Sequence, residues 1–160
     1  MTSSHLSINH EAHVVTMVCT FILLVKFTVT ILIQGGRRFA GGSRPPEDST
    51  LSLAKLYKAK QTYGMGQPNP KHAEADIRWQ RIVLNDLENI PLGLIVAWAS
   101  LLSTFSAQVH IIGVCIFTVS RIFHTVSYAY KLQPHRGIAW MVAVCSVLVL
   151  AANGTAGVLM

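Results

Sequence analysis

Two stripes of polar side chains occupy helical spacings inside segments that are otherwise apolar. The first stripe contains Arg78, Arg81, Asn85 and Glu88, and the second contains Arg121, His124, Tyr128 and Lys131. The offsets within each stripe are about 0, 3, 7 and 10, so at about 100° per residue each stripe covers one narrow face of a helix. A charged side chain in hydrocarbon costs about 2.5–3.5 kcal/mol on lenient insertion scales, so it is rarely retained without a role. If the two faces met, within one subunit or across a subunit boundary, they would form a cationic cleft suited to a polar, anionic ligand.

A purely structural interpretation of the stripes is also open. Arg121 and Glu88 could form a buried ion pair, and Asn85 could form a hydrogen bond to a neighbouring helix. Helix packing needs one or two such residues, whereas several cations are present here. The excess of cations favours a ligand, and the two roles are compatible.

Arg136 follows Gln133-Pro134-His135 at the entry to the last apolar segment. One interpretation is an anchor at the cytosolic surface of the membrane. The other is a fixed guanidinium at the mouth of the cleft, which would lower the pKa of a nearby thiol by stabilising the thiolate. Both interpretations stay open on these residues alone.

The composition is typical of a membrane protein. Of the 160 residues, 51% are hydrophobic and 12% are charged, whereas a soluble domain carries about 25% charged residues. A helix needs roughly 20 residues to cross hydrocarbon. The predicted spans cover about residues 14–33, 78–104, 109–130 and 138–160. These features predict an all-α fold, an integral membrane four-helix bundle that forms a single domain over residues 1–160.

The helix of the second span is expected to begin well before its apolar part. Pro70 is suited to the first helical position, with Asn69 as the cap. From Pro70 to Thr104 the helix would be roughly 52 Å long at about 1.5 Å per residue, so several turns should project into water. Pro91 is expected to bend it.

The basic residues predict the orientation in the membrane. The loop 34–77 holds seven Lys and Arg, and the loop before the last span adds Lys131 and Arg136. The N-terminal tail, the turn 105–108 and the C-terminus hold none. Because loops rich in Lys and Arg stay on the cytosolic side, we expect the loop 34–77 to be cytosolic and both termini to be lumenal.

Several other kinds of site are not indicated. Cys19, Cys115 and Cys145 lie in apolar segments without paired spacing, so we interpret them as core residues. Asn153-Gly154-Thr155 matches a glycosylation motif but lies inside the last predicted span. The sequence contains no phosphate-binding loop, nucleophile elbow, HExxH motif or dinucleotide fingerprint. We expect no metal site and no nucleic-acid partner.

The chain resembles the MAPEG superfamily (membrane-associated proteins in eicosanoid and glutathione metabolism) over almost its whole length. The motifs that carry the resemblance are Pro46-Glu47-Asp48, Asn85-Asp86-Leu87-Glu88-Asn89-Ile90, Arg121-Ile122-Phe123-His124-Thr125-Val126-Ser127-Tyr128 and Gln133-Pro134-His135-Arg136. In this order, between four spans, they are highly specific. The branch that the chain resembles most is that of the type 1 microsomal glutathione transferases, with the prostaglandin E synthases as near relatives.

The resemblance implies a homotrimer in the endoplasmic reticulum membrane, with the mitochondrial outer membrane as a second location. It also implies that glutathione binds between neighbouring subunits, in a cleft open to the cytosol. The glutathione-binding set carried over by motif is Arg37, Asn85, Glu88, Arg121, His124, Tyr128 and Arg136. Within this implied site Arg136 would stabilise the thiolate and Asp48 would orient Arg136. Whether Arg37 or Arg38 contacts glutathione stays open.

The function that the resemblance implies is a membrane-bound glutathione S-transferase. It would conjugate the glutathione thiolate to lipophilic electrophiles that arrive through the membrane lipid, and glutathione peroxidase activity on lipid hydroperoxides would be compatible with the same site. One alternative is a glutathione-dependent prostaglandin E synthase, but those synthases place a serine where Gly137 stands. The other is a non-enzymatic, lipid-binding adaptor, for which the complete cationic set would be unnecessary.

Overall fold

The computed structural model describes residues 9–66 and 70–160. Within these ranges the chain is helical and contains no strand. The α-helices are α1 (His10–Gly41), α2 (Ser52–Tyr57), α3 (Pro70–Leu101), α4 (Ala107–Ala129) and α5 (His135–Leu159), and a 3-10 helix covers Pro46–Thr50. The predicted all-α fold is confirmed for the described residues.

Four of these helices, α1, α3, α4 and α5, are long and apolar enough to cross a membrane. Each corresponds to one of the predicted spans. α3 begins at Pro70 as predicted and continues through Pro91, while its expected cap, Asn69, lies outside the described residues. The length and composition of the helices are those of a multi-pass membrane protein.

The loop predicted over residues 34–77 is shorter in the structure, because both flanking helices extend into it. α1 continues to Gly41, and α3 already begins at Pro70. Phe39 and Ala40 are buried in the extension of α1, so their packing outweighs the low helix propensity of the neighbouring glycines. At its other end α3 stops at Leu101, short of the predicted residue 104, and a turn follows.

The chain divides into two compact units. The first unit contains residues 1–26 and 87–160, and the second contains residues 27–86. α1 and α3 contribute residues to both units.

The core of the first unit is layered, and each long helix contributes one residue to each layer. One layer contains Cys19, Ala97, Val114 and Leu150, and the next contains Leu23, Ile90, Phe117 and Ala143. From the first layer to the second the residue numbers rise in α1 and α4 and fall in α3 and α5. Successive long helices therefore run in opposite directions, and this unit is a four-helix bundle.

Outside these layers many large apolar side chains are exposed. Phe21, Leu32, Val119 and Leu148 have exposed fractions of 65%, 70%, 65% and 63%. In water so much apolar area would favour aggregation, whereas lipid tails solvate it. The outer surfaces of the helices are therefore suited to contact with membrane lipid.

A buried polar network joins three helices at one end of the first unit. His110 Nε2 lies 2.9 Å from Thr16 Oγ1, and His110 Nδ1 lies 3.1 Å from Ser100 Oγ. The same two hydroxyl oxygens also lie within hydrogen-bond distance of backbone carbonyls, Thr16 Oγ1 at 2.7 Å from Ala12 O and Ser100 Oγ at 3.1 Å from Ala97 O. The network links α1, α3 and α4. Its directional hydrogen bonds fix how far these helices are shifted along one another, which apolar packing alone would leave less defined.

Asn153 of α5 closes the turn between α3 and α4. Its Oδ1 accepts a hydrogen bond from Ser106 N at 3.0 Å, and its Nδ2 donates to Ser106 O at 3.1 Å. Ser106 is also the N-cap of α4, where its Oγ accepts a hydrogen bond from Val109 N at 3.4 Å. Asn153 is only 6% exposed. Its amide therefore holds the Ser106 backbone inside the protein and is not accessible as a glycosylation site.

Gln61 organises the connector of the second unit. Its side chain is 1% exposed, and its Nε2 donates to Phe39 O at 3.0 Å and to Ala59 O at 2.8 Å. Its Oε1 accepts a hydrogen bond from Arg44 N at 3.3 Å, and its backbone N donates to Ser49 Oγ at 3.4 Å. Gln61 therefore ties the end of α1 to the residues after α2 through its side chain, and to the 3-10 helix through its backbone N.

Candidate functional site

One continuous stripe of α4 faces the interior of the bundle. Its residues recur at alternating spacings of four and three, namely His110, Val114, Phe117, Arg121, His124 and Tyr128. This is the spacing of core positions in packed helices. Val114 and Phe117 occupy the two apolar layers, and the stripe becomes polar again from Arg121 onward. The predicted stripe on this helix is therefore the continuation of its core positions toward one end of the bundle.

Arg121 and His124 are buried, with exposed fractions of 0% and 3%. Both are predicted glutathione ligands, but in this state neither presents surface to a ligand. The desolvation of a buried guanidinium costs several kcal/mol unless acceptors surround it. Arg121 does have an interaction partner within the described residues, and its direct contact with glutathione stays a prediction.

Tyr128 and Arg136 are the accessible part of this end of the bundle. The guanidinium carbon of Arg136 lies 4.2 Å from the centroid of the Tyr128 ring, which is a cation–π contact. The rings of His124 and Tyr128 meet edge to face, with centroids 5.9 Å apart and an interplanar angle of 69°. Three predicted site residues thus form one series of contacts from the interior to the surface.

The turn between α4 and α5 places Arg136 over Tyr128. Lys131 has a left-handed φ of 63°, and Leu132 N donates to Ser127 O at 2.8 Å, which ends α4. Arg136 N then donates to Leu132 O at 3.2 Å in the first turn of α5. The local fold of residues 127–136 therefore fixes the position of the guanidinium.

Glu88 is exposed on α3, whereas Arg121 is fully buried. The two side chains therefore do not form the buried ion pair that the purely structural interpretation would need. An exposed carboxylate stays available to a ligand that carries an ammonium group. The role of Glu88 in glutathione binding stays a prediction.

The remaining predicted site residues belong to the second unit. Arg37 is exposed near the end of α1, and Asn85 is half-buried on α3. Asp48 is half-buried in the 3-10 helix. That these residues act in the same site as Tyr128 and Arg136 stays a prediction.

Asp48 has a partner that the sequence analysis missed. Arg44 Nε lies 2.6 Å from Asp48 Oδ2, and the Arg44 guanidinium carbon lies 4.5 Å from the centroid of the Phe39 ring. The two residues are four positions apart, but Arg44 precedes the 3-10 helix, so helical spacing alone does not predict the pair. If Asp48 orients Arg136, it must share its carboxylate with Arg44.

An apolar cavity of about 180 Å³ lies beside Phe117 in the first unit. α3 contributes Leu92 and Gly93 to its lining, and α5 contributes Ala143 and Leu148. Leu92 and Leu148 have exposed fractions of 59% and 63%, so the cavity opens at the outer surface of the helices. It is suited to a small apolar molecule that enters from lipid.

This arrangement can support attack by a thiolate. A fixed guanidinium stabilises a thiolate and so activates a bound thiol. Phe117 precedes Arg121 by one turn of α4, about 6 Å along the helix axis. Tyr128, which carries Arg136, lies eleven residues after Phe117, about 16 Å farther along the axis, so the cavity and the cationic end share one stripe of α4 but are not adjacent.

The sequence model of the MAPEG family matches residues 14–155. The matched range contains every predicted site residue and most of each of the four long helices. No match to a curated protein was found. Because the family match covers most of the chain and the described fold is a bundle of membrane-length helices, this protein belongs to the MAPEG family.

Proposed function

We propose that this protein is a membrane-bound glutathione S-transferase that conjugates the glutathione thiolate to lipophilic electrophiles. The main support is the Arg136 guanidinium stacked on Tyr128 at a polar end of the bundle. Membership of the MAPEG family supports glutathione as the thiol substrate, because the family is associated with glutathione and eicosanoid metabolism.

The charges of the proposed site match those of glutathione. This tripeptide carries two carboxylates and one ammonium near neutral pH. Arg37 is an exposed cation for a carboxylate, and Glu88 is an exposed anion for the ammonium. Asn85 and the Tyr128 hydroxyl add uncharged hydrogen-bonding groups. Within the first unit, Arg121 and His124 are buried, and the His124 ring contacts Tyr128.

In the proposed reaction the glutathione thiol first loses its proton to water, and Arg136 stabilises the resulting thiolate. With a chloronitrobenzene as electrophile, the sulfur attacks the carbon that bears chlorine. The C–S bond forms, the C–Cl bond breaks, and chloride leaves with the electron pair of that bond. Arg136 transfers no proton, because a guanidinium stays protonated at any relevant pH.

The apolar cavity beside Phe117 supports the choice of lipophilic electrophiles. Its volume of about 180 Å³ accommodates a substituted benzene ring. A lipid hydroperoxide approaching by the same route would react differently. Two glutathione molecules would be oxidised to the disulfide while the hydroperoxide is reduced to an alcohol and water.

We also propose a homotrimer in the endoplasmic reticulum membrane, with glutathione bound between neighbouring subunits. In such a trimer Arg37 and Asp48 of one subunit would complete the site that Arg136 begins in the next. The exposed apolar surfaces of the helices provide area for both lipid and subunit contacts.

Turnover by the detergent-purified full chain tests this proposal. We expect conjugation of glutathione to a chloronitrobenzene, and in Arg136→Ala a loss of about 100-fold in kcat with glutathione binding retained. Arg136→Lys is the matched control. It keeps the charge without the planar stack on Tyr128, so its kcat should lie between the two.

Two outcomes would contradict the transferase assignment. One is glutathione binding without turnover of any electrophile, which would favour the adaptor alternative. The other is conversion of a prostaglandin endoperoxide to the E product faster than to by-products, with no conjugation, which would favour the synthase alternative.

A further inference from the structure

A polar cavity in the second unit lies between the end of α1 and the beginning of α3. Its volume is about 310 Å³, at the lower end of the roughly 300–1,000 Å³ typical of ligand pockets. Its polar lining residues are Arg38, Ser43, Tyr63, Asp76 and Gln80. Arg38 is the open alternative to Arg37 in the predicted glutathione set, and no other residue of that set lines this cavity.

The floor of the cavity is a buried carboxylate. Asp76 is 7% exposed, and its Oδ1 has no hydrogen-bond partner among the described residues. A Cβ on Gly41 would lie 3.3 Å from Asp76 Cβ and 3.4 Å from its Oδ2, so the α1 backbone passes directly beside this side chain. A buried carboxylate favours a cationic hydrogen-bond donor as its partner.

The rim of the cavity has the opposite charge. Arg38 is exposed on the last turn of α1, and its Nη2 donates to Ser43 O at 3.3 Å. Ser43 N in turn donates to Arg38 O at 3.0 Å, so the chain after α1 folds back against this residue. An anionic floor beneath a cationic rim is complementary to a zwitterion.

The position of Arg38 along α1 indicates the kind of zwitterion. The apolar segment of α1 ends at Ile33, and Arg38 follows five residues later, about 7.5 Å farther along the axis. Each headgroup layer adds about 5–7 Å to the hydrocarbon core. The Arg38 backbone is therefore expected at the outer edge of the lipid headgroups, where its long side chain can reach them.

We propose that this cavity binds a phosphoethanolamine group, with its primary ammonium at Asp76 and its phosphate at Arg38. A primary ammonium offers N–H donors to the carboxylate, whereas the quaternary ammonium of phosphocholine offers none. A phosphatidylethanolamine headgroup and a soluble phosphoethanolamine share this chemistry. With Arg37 as the glutathione contact, as in the proposed function, this site is separate from the conjugation reaction and does not depend on it.

Calorimetric titration of the full chain in phosphatidylcholine nanodiscs tests the proposal. O-phosphoethanolamine should bind at least about tenfold more tightly than phosphocholine, which corresponds to about 1.4 kcal/mol. Asp76→Asn should remove this preference, and Arg38→Gln should weaken the binding of both probes. Glu74→Gln is the matched control, because Glu74 is an exposed carboxylate on the same helix that pairs with Arg78 at 2.5 Å, and it should leave the preference unchanged.

A second measurement distinguishes the two sources of the ligand. The Tm is compared between nanodiscs of phosphatidylcholine alone and nanodiscs that also contain phosphatidylethanolamine. A rise in Tm that Asp76→Asn abolishes assigns the site to the lipid, and a response to the soluble probe alone assigns it to a soluble molecule. Equal binding of the two probes, a preference that survives Asp76→Asn, or no response in either measurement would overturn the proposal.

Discussion

At the residue scale, Tyr128 connects the interior of the bundle with Arg136. Its ring meets the His124 ring edge to face. The Arg136 guanidinium stacks on the same Tyr128 ring. The ring positions a charge, while the hydroxyl is a separate hydrogen-bonding group. The two parts of this side chain can therefore be tested independently.

Replacing Tyr128 by Phe keeps the ring under Arg136, so kcat should change little while the KM for glutathione rises. Tyr128→Leu removes the stack, a contact of about 0.5–2 kcal/mol, so kcat should fall by about 2- to 30-fold. Steady-state conjugation rates of the two variants are the measurement. Equal losses of kcat in both would show that the ring does not position the guanidinium.

The sequence predicts which of these residues share one face of a helix, but it does not predict how exposed each side chain is. The spacing of Arg121, His124 and Tyr128 predicts one helical stripe, and the structure has it. Exposure was not predictable, because the periodicity of a single helix does not show which turns its neighbours cover. Arg44 was missed for a related reason, since its bond to Asp48 depends on the fold of the connector.

At the element scale, the interior stripe of α4 changes along the helix from polar to apolar and back to polar. His110 belongs to a polar network at one end, Val114 and Phe117 pack in the apolar layers, and Arg121 begins the other polar end. The four-residue and three-residue spacing of this stripe can be read from the sequence. The partners of His110 cannot, because Thr16 and Ser100 lie in other helices.

His110→Leu should lower the free energy of unfolding by about 1 kcal/mol, since interhelical hydrogen bonds in membranes average about 0.6 kcal/mol each. Thr16→Val, which removes one of the two contacts, should cost about half as much. Because both changes remove the same bond between α1 and α4, the double variant should cost less than the sum of the two. Strict additivity in denaturation of the three variants would contradict a shared network.

Gly93 of α3 leaves room for the Phe117 ring of α4. A Cβ at this position would lie 2.2 Å from Phe117 Cζ, and Phe117 is only 1% exposed. Gly93→Ala should therefore destabilise the bundle by about 1–3 kcal/mol, the usual cost of overpacking.

A second change provides the control for Gly93→Ala. Phe117→Leu removes the ring atoms that would clash, so the double variant should be more stable than the sum of the two single effects predicts. Thermal unfolding of the four proteins measures this coupling. Independent effects would mean that the clash is relieved elsewhere.

At the scale of the whole molecule, the sequence predicts the number of spans and, through its basic loops, their direction. The four membrane-length helices confirm the number of spans. The orientation of these spans in the membrane stays a prediction. The sequence does not predict that α1 continues to Gly41 or that Gln61 ties the connector together. Both depend on contacts between residues far apart in the chain, which local patterns do not encode.

The proposed trimer makes a prediction that no single chain can show. If Arg37 and Arg136 of neighbouring subunits form one site, Arg37→Ala and Arg136→Ala should each be inactive or nearly so. Coexpression of the two should restore activity at about a quarter of the sites in random trimers, where both native residues meet. Persistent inactivity of the mixed trimers would place both residues in one subunit.

Ultraviolet difference spectroscopy of the purified protein titrated with glutathione tests the central claim most directly. A thiolate band should grow to saturation with glutathione, stay absent with S-methylglutathione, and be largely lost in Arg136→Ala although calorimetry still detects binding. Saturable glutathione binding without a thiolate band, or a band of undiminished size in Arg136→Ala, would contradict the account.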